Sequence, residues 1–415
     1  MTNTQACLIT IGDELLIGQV IDTNSAWIAQ QLNAEGIDVT KRIAVGDTDK
    51  DIRDVLDEEI PKADLVIITG GLGPTSDDIT KPLLCDYFGG KLVVNERVRQ
   101  HLLDIFARRN RPILERNMKQ AEVPDNCTVL FNRMGTAPGM LFTKGEKRII
   151  SLPGVPFEMM NIMEHEVLPL LRKLATGEAI VHRTIFTAGE GESIIAEKIL
   201  DIEAALPPHI KLAYLPNAGM VRLRLTGRSN DKKTLEQEVR QWQQQLAERL
   251  DNIVIALEDQ SLQEILSNTL KTKKLTIGFA ESCTGGCLGH YMTQVPGASE
   301  YFYGSMVCYQ NHIKESVLGV KAGTLAEHGA VSAQTAIEMA QGAQRLLKAD
   351  YTLSVTGMLG PFDEGVKSGK VWMAVAHGTG VITKDFTFHY DRARNKEMAV
   401  QMGMLLLWKV INGKL

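Results

Sequence analysis

Two clusters in this 415-residue chain combine residue types and spacings that could do chemistry. In the last third, Ala280-Glu281-Ser282-Cys283-Thr284-Gly285-Gly286 has the pattern of a strand breaking into a helix. A serine on such a turn is lifted toward solvent, and the amides that follow it can form an oxyanion hole. The serine needs a base. No histidine-plus-carboxylate pattern stands out around His290, His312 or His328. The candidate is Lys314, at the end of Val307-Cys308-Tyr309-Gln310-Asn311-His312-Ile313-Lys314, with Tyr309 relaying the proton or orienting the amine. A lysine serves as a base near neutral pH only where burial or a neighbouring cation lowers its pKa from about 10.4. Each residue also has a plainer role: Ser282 as a helix cap, Tyr309 as packing, Lys314 as a solvated cation. Cys283 is a rival nucleophile, because a thiol at a helix N-terminus is often activated. On residue types alone the choice between Ser282 and Cys283 stays open.

The second cluster lies near the N-terminus: Thr69-Gly70-Gly71-Leu72-Gly73-Pro74-Thr75-Ser76-Asp77-Asp78-Ile79-Thr80, directly after a buried apolar run. Glycines let the backbone approach a ligand closely, and a following helix offers free N–H groups and a positive dipole end to a phosphate. Asp77 and Asp78 are suited to hold a divalent metal that bridges phosphates. A tight turn with one aspartate capping the helix is the simpler alternative. Further glycine turns, two of them with carboxylates, favour a built site: Gly12-Asp13-Glu14, Gly135-Thr136-Ala137-Pro138-Gly139 and Pro153-Gly154-Val155-Pro156-Phe157-Glu158.

The elements that must position these loops alternate. Apolar runs at 6–11, 64–69 and 146–152 read as strands, the middle one a parallel strand covered on both faces. Helical patterns occupy 24–32, 77–87, 98–109 and 156–174, the last with proline at its start. Residues 176–257 change character, with alternating strands at 184–187 and 221–225 and charged helices at 193–204 and 233–250. From 258 the rhythm returns, with strands at 275–280, 303–309, 351–356, 370–376 and 383–390 and helices at 261–270, 286–294, 332–347 and 395–411. The expected fold class is α/β: two three-layer α/β/α sandwiches, residues 1–175 and 258–415, joined by a small α+β middle domain, 176–257.

Bulk properties narrow the function classes. The chain is 44% hydrophobic and 23% charged, with a formal net charge of −5, which argues against a general nucleic-acid binder. No segment reaches the roughly 18 apolar residues of a membrane span, and the N-terminus lacks a signal pattern. The six cysteines are scattered without CxxC spacing, which suits reduced thiols in a cytoplasmic protein and argues against structural zinc. A homodimer is the commonest assembly for such a protein.

The motifs resemble those of the CinA family, the competence/damage-inducible proteins. GDELLIGQVIDTNS, TGGLGPTSDDIT, NMKQAEVP, GTAPGM and LPGVPFEM are similar to its N-terminal domain, which shares a fold with the molybdopterin-binding MoaB and MogA proteins. That resemblance implies a divalent-metal-dependent ADP-ribose pyrophosphatase or a molybdopterin-like binding module. Gly70, Gly71, Gly73 and Thr75 would hold phosphate, and Asp77, Asp78 and Glu158 would hold or position the metal. AESCTGG, the segment from Tyr309 to Lys314, HGAVS and SVTGMLGP resemble the C-terminal nicotinamide mononucleotide (NMN) deamidase domain. By that resemblance Ser282 is the nucleophile, assisted by Tyr309 and Lys314. Amides near Thr284, Gly285 and Gly286 receive the oxyanion, Thr356 and Gly357 lie beside the substrate, and Arg392 meets its phosphate. No cofactor is needed for the deamidase half. A non-catalytic nucleotide- or molybdopterin-binding regulator is the alternative. One segment departs from the family pattern: where a glycine run and Lys-Pro-Val-Gly are usual, this chain has Phe362-Asp363-Glu364-Gly365-Val366-Lys367-Ser368-Gly369-Lys370.

Overall fold

A computed structural model describes residues 4–75, 78–174, 179–217, 219–360, 369–378 and 380–415. The chain divides into two compact units, Met1–His182 with Leu206–Lys211 and Leu225–Gln241, and Arg183–Ala205 with Leu212–Arg224 and Trp242–Leu415. Residues 176–257 are shared between the two.

In the first unit the strands are β1 (Gln5–Ile11), β2 (Asp38–Val45), β3 (Leu65–Thr69), β4 (Leu92–Val94), β5 (Glu122–Pro124), β6 (Thr128–Leu130), β7 (Gly139–Lys144) and β8 (Lys147–Leu152). Among the described residues, six form one sheet in the order β2-β1-β3-β8-β7-β6, while β4 and β5 pair separately. The four strands from β2 to β8 run parallel, and β7 and β6 close the edge antiparallel. Side chains alternate across the sheet. Cys7, Ile9, Ile11, Val66 and Ile68 therefore join one buried cluster with Ile52, Leu56 and Leu84. Ala6, Leu8, Leu65 and Ile67 join the other with Ile28, Leu32, Met159 and Ile162. Two cores on two faces make three layers. The helix expected from 77 starts at Thr80.

Residues 179–256 supply a sheet of β9 (Ala179–Ala188), β10 (Ile210–Asn217), β11 (Met220–Ser229) and β12 (Val254–Ala256), in the order β10-β11-β9-β12. The helices Glu192–Ala204 and Lys232–Arg249 accompany it.

The final sandwich holds β13 (Ile277–Glu281), β14 (Phe302–Val307), β15 (Tyr351–Gly357), β16 (Lys370–His377) and β17 (Gly380–Thr387), in the order β14-β13-β15-β16-β17. The first three are parallel and the last two antiparallel. Large residues fill one face: Ile277, Phe279, Leu353 and Val355 pack on Leu288, Leu405 and Leu406. Small residues line the other, where Ala280 meets Met339 and Ala343, and Ala374 and Ala376 meet Ala336 and Ala340. The small face lets the helix Ala333–Leu347 approach closely enough for Thr352 and Ser354 to donate hydrogen bonds to its carbonyls at Ala340 and Ala336 (2.8 and 2.6 Å). No helix among the described residues is long and apolar enough to cross a membrane.

Candidate active site

β13 is followed by a helix on the large-residue face, Cys287–Thr293. β14 is followed by chain that returns on the small-residue face. Neighbouring parallel strands whose connections leave on opposite faces open a crevice at their carboxyl ends. The Cys308 N–H donates to the Glu281 carbonyl at 2.8 Å, so the ends of β13 and β14 meet directly beneath Ser282.

Ser282 is 7% exposed, and its backbone N–H is fixed on the Val355 carbonyl at 2.9 Å. The turn behind it is held by Glu281, which is fully buried. One carboxylate oxygen of Glu281 accepts from the N–H groups of Gly286 (2.9 Å) and Leu288 (3.1 Å). The other accepts from the Gly289 N–H (3.0 Å) and the Ser305 hydroxyl (2.6 Å). Glu281 thus satisfies amides that a helix start leaves without partners. Sequence reading quoted this residue and gave it no role. The available signal was a carboxylate one residue ahead of a strand-to-helix turn.

The expected row of oxyanion-binding amides is narrower than the motif implies. Gly286 N–H is taken by Glu281, and Gly285 N–H donates to the Ser282 carbonyl at 3.1 Å. Among the described residues, the amides of Cys283 and Thr284 keep no backbone acceptor in this turn. The Thr284 hydroxyl is buried without a partner.

Lys314 lies inside the helix Asn311–Leu318. It is 1% exposed, and its Nζ donates to the Tyr309 carbonyl at 2.9 Å. Burial holds its pKa below the ordinary lysine range, opposed by the nearby thiols of Cys308 and Cys283. Tyr309 differs from its expected role as a proton relay. Its side chain is 54% exposed, and its hydroxyl accepts from Arg392 Nη2 at 2.9 Å, while Lys314 bonds only its backbone oxygen. The Arg392 Nη1 donates to the Gly360 carbonyl at 3.0 Å. Burial pushes the Cys283 thiol up to about 12, with Arg392 and Lys314 pulling it back. A thiol so far from its thiolate is a poor nucleophile at neutral pH. His290, His312 and His328 are exposed.

Thr356 lies on β15, with its side chain bonded to a neighbouring segment. Its hydroxyl donates to the Ala330 carbonyl at 2.6 Å, a third rung of the Thr352 and Ser354 series, and therefore fixes the sheet to the chain beside it. Gly357 ends β15, where a Cβ would crowd Val371 Cγ2 at 2.7 Å. The altered segment lies outside the described residues except for Gly369 and Lys370.

In the first unit, Gly70 and Gly71 take positive φ, 119° and 64°, immediately after β3. A Cβ at Gly70 would strike the Ile11 carbonyl, and one at Gly71 the Thr80 hydroxyl. Gly70→Ala is expected to destabilise the unit by about 3 kcal/mol, from strain plus overlap with backbone. Gly89→Ala, also at positive φ but facing open space, is expected to cost about 1 kcal/mol. Urea unfolding of the two variants measures the difference. Thr75 donates through its N–H (2.9 Å) and hydroxyl (2.6 Å) to one Asp78 oxygen. Glu158 accepts from the Asn132 amide at 2.6 Å, and burial raises its pKa. Asp77 lies outside the described residues. Asp78 and Glu158 are turned to separate partners, and no group of three or more His, Cys, Asp or Glu among the described residues could hold a metal ion. Sequence reading passed over Lys81, whose pKa burial pushes down to about 8 against the pull of Glu122 and Asp78. It also gave no role to Gln120, which is buried with Oε1 lacking a partner. A cavity of about 140 Å³ lies beside the loop, lined by Thr10, Asp22, Asn24, Thr69 and Gly154 among others.

Comparison with known proteins gives three family matches. Residues 259–411 match the CinA C-terminal domain, 7–173 a probable molybdopterin binding domain, and 182–256 the damage-inducible protein CinA KH domain. A CinA-like protein of Flavobacterium psychrophilum is 43% identical, with 98% of each chain covered. A putative competence-damage inducible protein of Caldicellulosiruptor bescii is 40% identical over 97% of this chain and 98% of its own. Among solved structures, the protein CinA from Thermoplasma acidophilum is 32% identical, covering 39% of this chain and 95% of that one, with a TM-score of 0.36. MoaB from Thermus thermophilus is 20% identical, covering 41% and 95%, with a TM-score of 0.29.

Proposed function

The chain belongs to the CinA family, and from that premise we propose that its final sandwich hydrolyses the carboxamide of NMN to nicotinic acid mononucleotide and ammonia, with Ser282 as nucleophile. The observation that carries this reading is the buried Lys314 amine at the carboxyl ends of β13 and β14, where Ser282 also sits. An ammonium with one carbonyl partner and almost no water loses its proton more readily than a solvated one.

Neutral Lys314 takes the hydroxyl proton of Ser282 as Oγ attacks the carboxamide carbon. The oxyanion is received by the amides of Cys283 and Thr284. The tetrahedral adduct collapses, its C–N bond breaks, and the Lys314 ammonium gives the proton to the departing nitrogen, which leaves as ammonia. Water, deprotonated by the same amine, then opens the acyl ester and restores Ser282. Arg392, held by Tyr309 and Gly360, meets the phosphate. Tyr309 acts twice as a positioning residue, through its carbonyl on Lys314 and its hydroxyl on Arg392. The positive pyridinium makes the carboxamide more electrophilic, which suits a serine–lysine pair without a third member.

Lys314→Met is expected to lower kcat for ammonia release by about 10³-fold, the usual worth of a positioned base. Its folded-state pKa lies below the unfolded one, so the buried ammonium weakens the fold at pH below the folded value. That penalty fades as pH rises toward the ordinary lysine range. Lys314→Met should therefore keep or raise Tm at neutral pH. In the parent protein, kcat should climb with pH along a limb centred below that range. Loss of Tm in Lys314→Met, or the same rising limb in its residual rate, would contradict the assignment.

For the first unit we propose binding of a nucleotide pyrophosphate such as ADP-ribose at the Gly70–Thr75 turn, supported by the two left-handed glycines. The separated partners of Asp78 and Glu158 favour the binding reading over the metal-dependent pyrophosphatase. Calorimetry with ADP-ribose, alongside chromatography for AMP with and without magnesium, separates the two.

A further inference from the structure

Within the second unit lies a cavity of about 370 Å³ whose lining includes none of the residues of the Ser282 turn. Its apolar wall includes Phe386, Met402 and Leu406, its rim Gly191, and it carries the amines of Lys384 and Lys409. Lys409 stands 17 residues along the helix Arg392–Asn412 from Arg392, about 25 Å at the α-helical rise. The cavity is therefore separate from the candidate active site.

Among the described residues neither Lys384 nor Lys409 has a carboxylate within ion-pair distance. Lys384 Nζ stands 5.6 Å from the centroid of the Phe386 ring. The acid on the rim, Glu190, is already neutralised, with both its oxygens on Lys198 at 2.5 and 2.6 Å. Burial and the neighbouring Lys384 both disfavour the charged form of Lys409. Two cations facing one apolar hollow repel each other, and the arrangement is relieved when an anion enters. Such a volume is at the lower end of small-molecule sites, which pair apolar walls with a few polar groups that fix orientation.

We propose that this cavity binds a small amphipathic anion, its apolar body against Phe386, Met402 and Leu406 and its carboxylate or phosphate on Lys409 and Lys384. Half-buried Lys409 supplies a charge-assisted hydrogen bond in a partly desolvated setting, where such bonds are strongest, and the exposed Lys384 adds a second cation at the mouth. The proposal is independent of the amidase reading.

The probes are 2-naphthoate and its neutral isostere 2-naphthamide, titrated by calorimetry into the full chain. Naphthoate is expected to bind with 1:1 stoichiometry, tighter than the amide, and to weaken as salt rises. Lys409→Met, which keeps the apolar stem, should weaken naphthoate about tenfold or more and leave the amide unchanged. Gly191 has φ −81°, and a Cβ there meets nothing within 4 Å. Gly191→Leu should therefore fold normally, as Tm verifies, and weaken both probes by obstructing the rim. Absence of naphthoate binding at millimolar concentration overturns the proposal. So does equal binding of acid and amide, or naphthoate affinity that survives both substitutions.

Discussion

Ser282→Ala is expected to lower ammonia release from NMN by about 10⁴-fold or more, the scale on which removal of a nucleophile acts in a serine hydrolase. Cys283→Ala is expected to stay within about threefold of the parent, since a thiol pushed up to about 12 is protonated throughout the neutral range. The two residues adjoin in sequence and diverge in setting. Ser282 follows the end of β13 with its N–H fixed on Val355, whereas the Cys283 thiol belongs to the apolar cluster that includes Phe279 and Leu288. Cys283→Ala should therefore appear mainly as a stability loss of about 1 kcal/mol from the lost packing. Rapid acid quench of the parent with NMN, followed by peptide mass analysis, should find the nicotinoyl ester on Ser282. Activity surviving in Ser282→Ala and lost in Cys283→Ala would transfer the nucleophile to the thiol. Survival in both would remove this turn from the reaction.

The second large effect is expected at Glu281. Its carboxylate is the acceptor for three backbone N–H groups and one hydroxyl, all in or beside the turn that carries Ser282. Glu281→Ala leaves these donors buried and unpaired, each at a cost of about 1–3 kcal/mol, so a total near 4 kcal/mol is expected after local relaxation. That is a large part of the 5–15 kcal/mol that holds an ordinary domain folded. Glu281→Gln keeps one acceptor oxygen and turns an NH₂ toward the remaining N–H groups, and about 2–3 kcal/mol is expected. Amide hydrogen exchange at Gly286, Leu288 and Gly289 should accelerate about 30- to 100-fold in Glu281→Gln, the same loss read locally. Turnover should fall with it, because the Cys283 and Thr284 amides lose their fixed direction. If Glu281→Gln abolished turnover while these amides exchanged at the parent rate, the carboxylate would be acting on the reactants instead of positioning the turn.

Much of the architecture is written locally. Near-continuous apolar runs such as LVIIT in β3 and IGFAE in β13 announce strands covered on both faces. Ser261 and Ser332 mark helix starts with side chains that cap the first turn. Elements without such marks were passed over. β2 carries the charged sequence DVTKRIAV, with most residues half-buried or exposed, so its pairing with β1 and not its composition makes it a strand. The helix Asn311–Leu318 begins at Gln310, whose side chain makes no cap, and only the left-handed Gly319 after its end signals it.

The sequence by itself determined the family, the α/β class and the turns on which chemistry is offered, because glycine, serine and apolar period act on backbone within a few residues. What each reactive group can do was decided by the tertiary structure. Lys314 is a base candidate because its helix carries the amine into a crevice between two strand ends, out of water. Tyr309 and Arg392 meet across 83 residues, and Thr356 reaches Ala330 across 26. Desolvation, acceptor supply and charge balance are properties of neighbours in space, and they set pKa and hydrogen bonding where sequence spacing carries no information about distance.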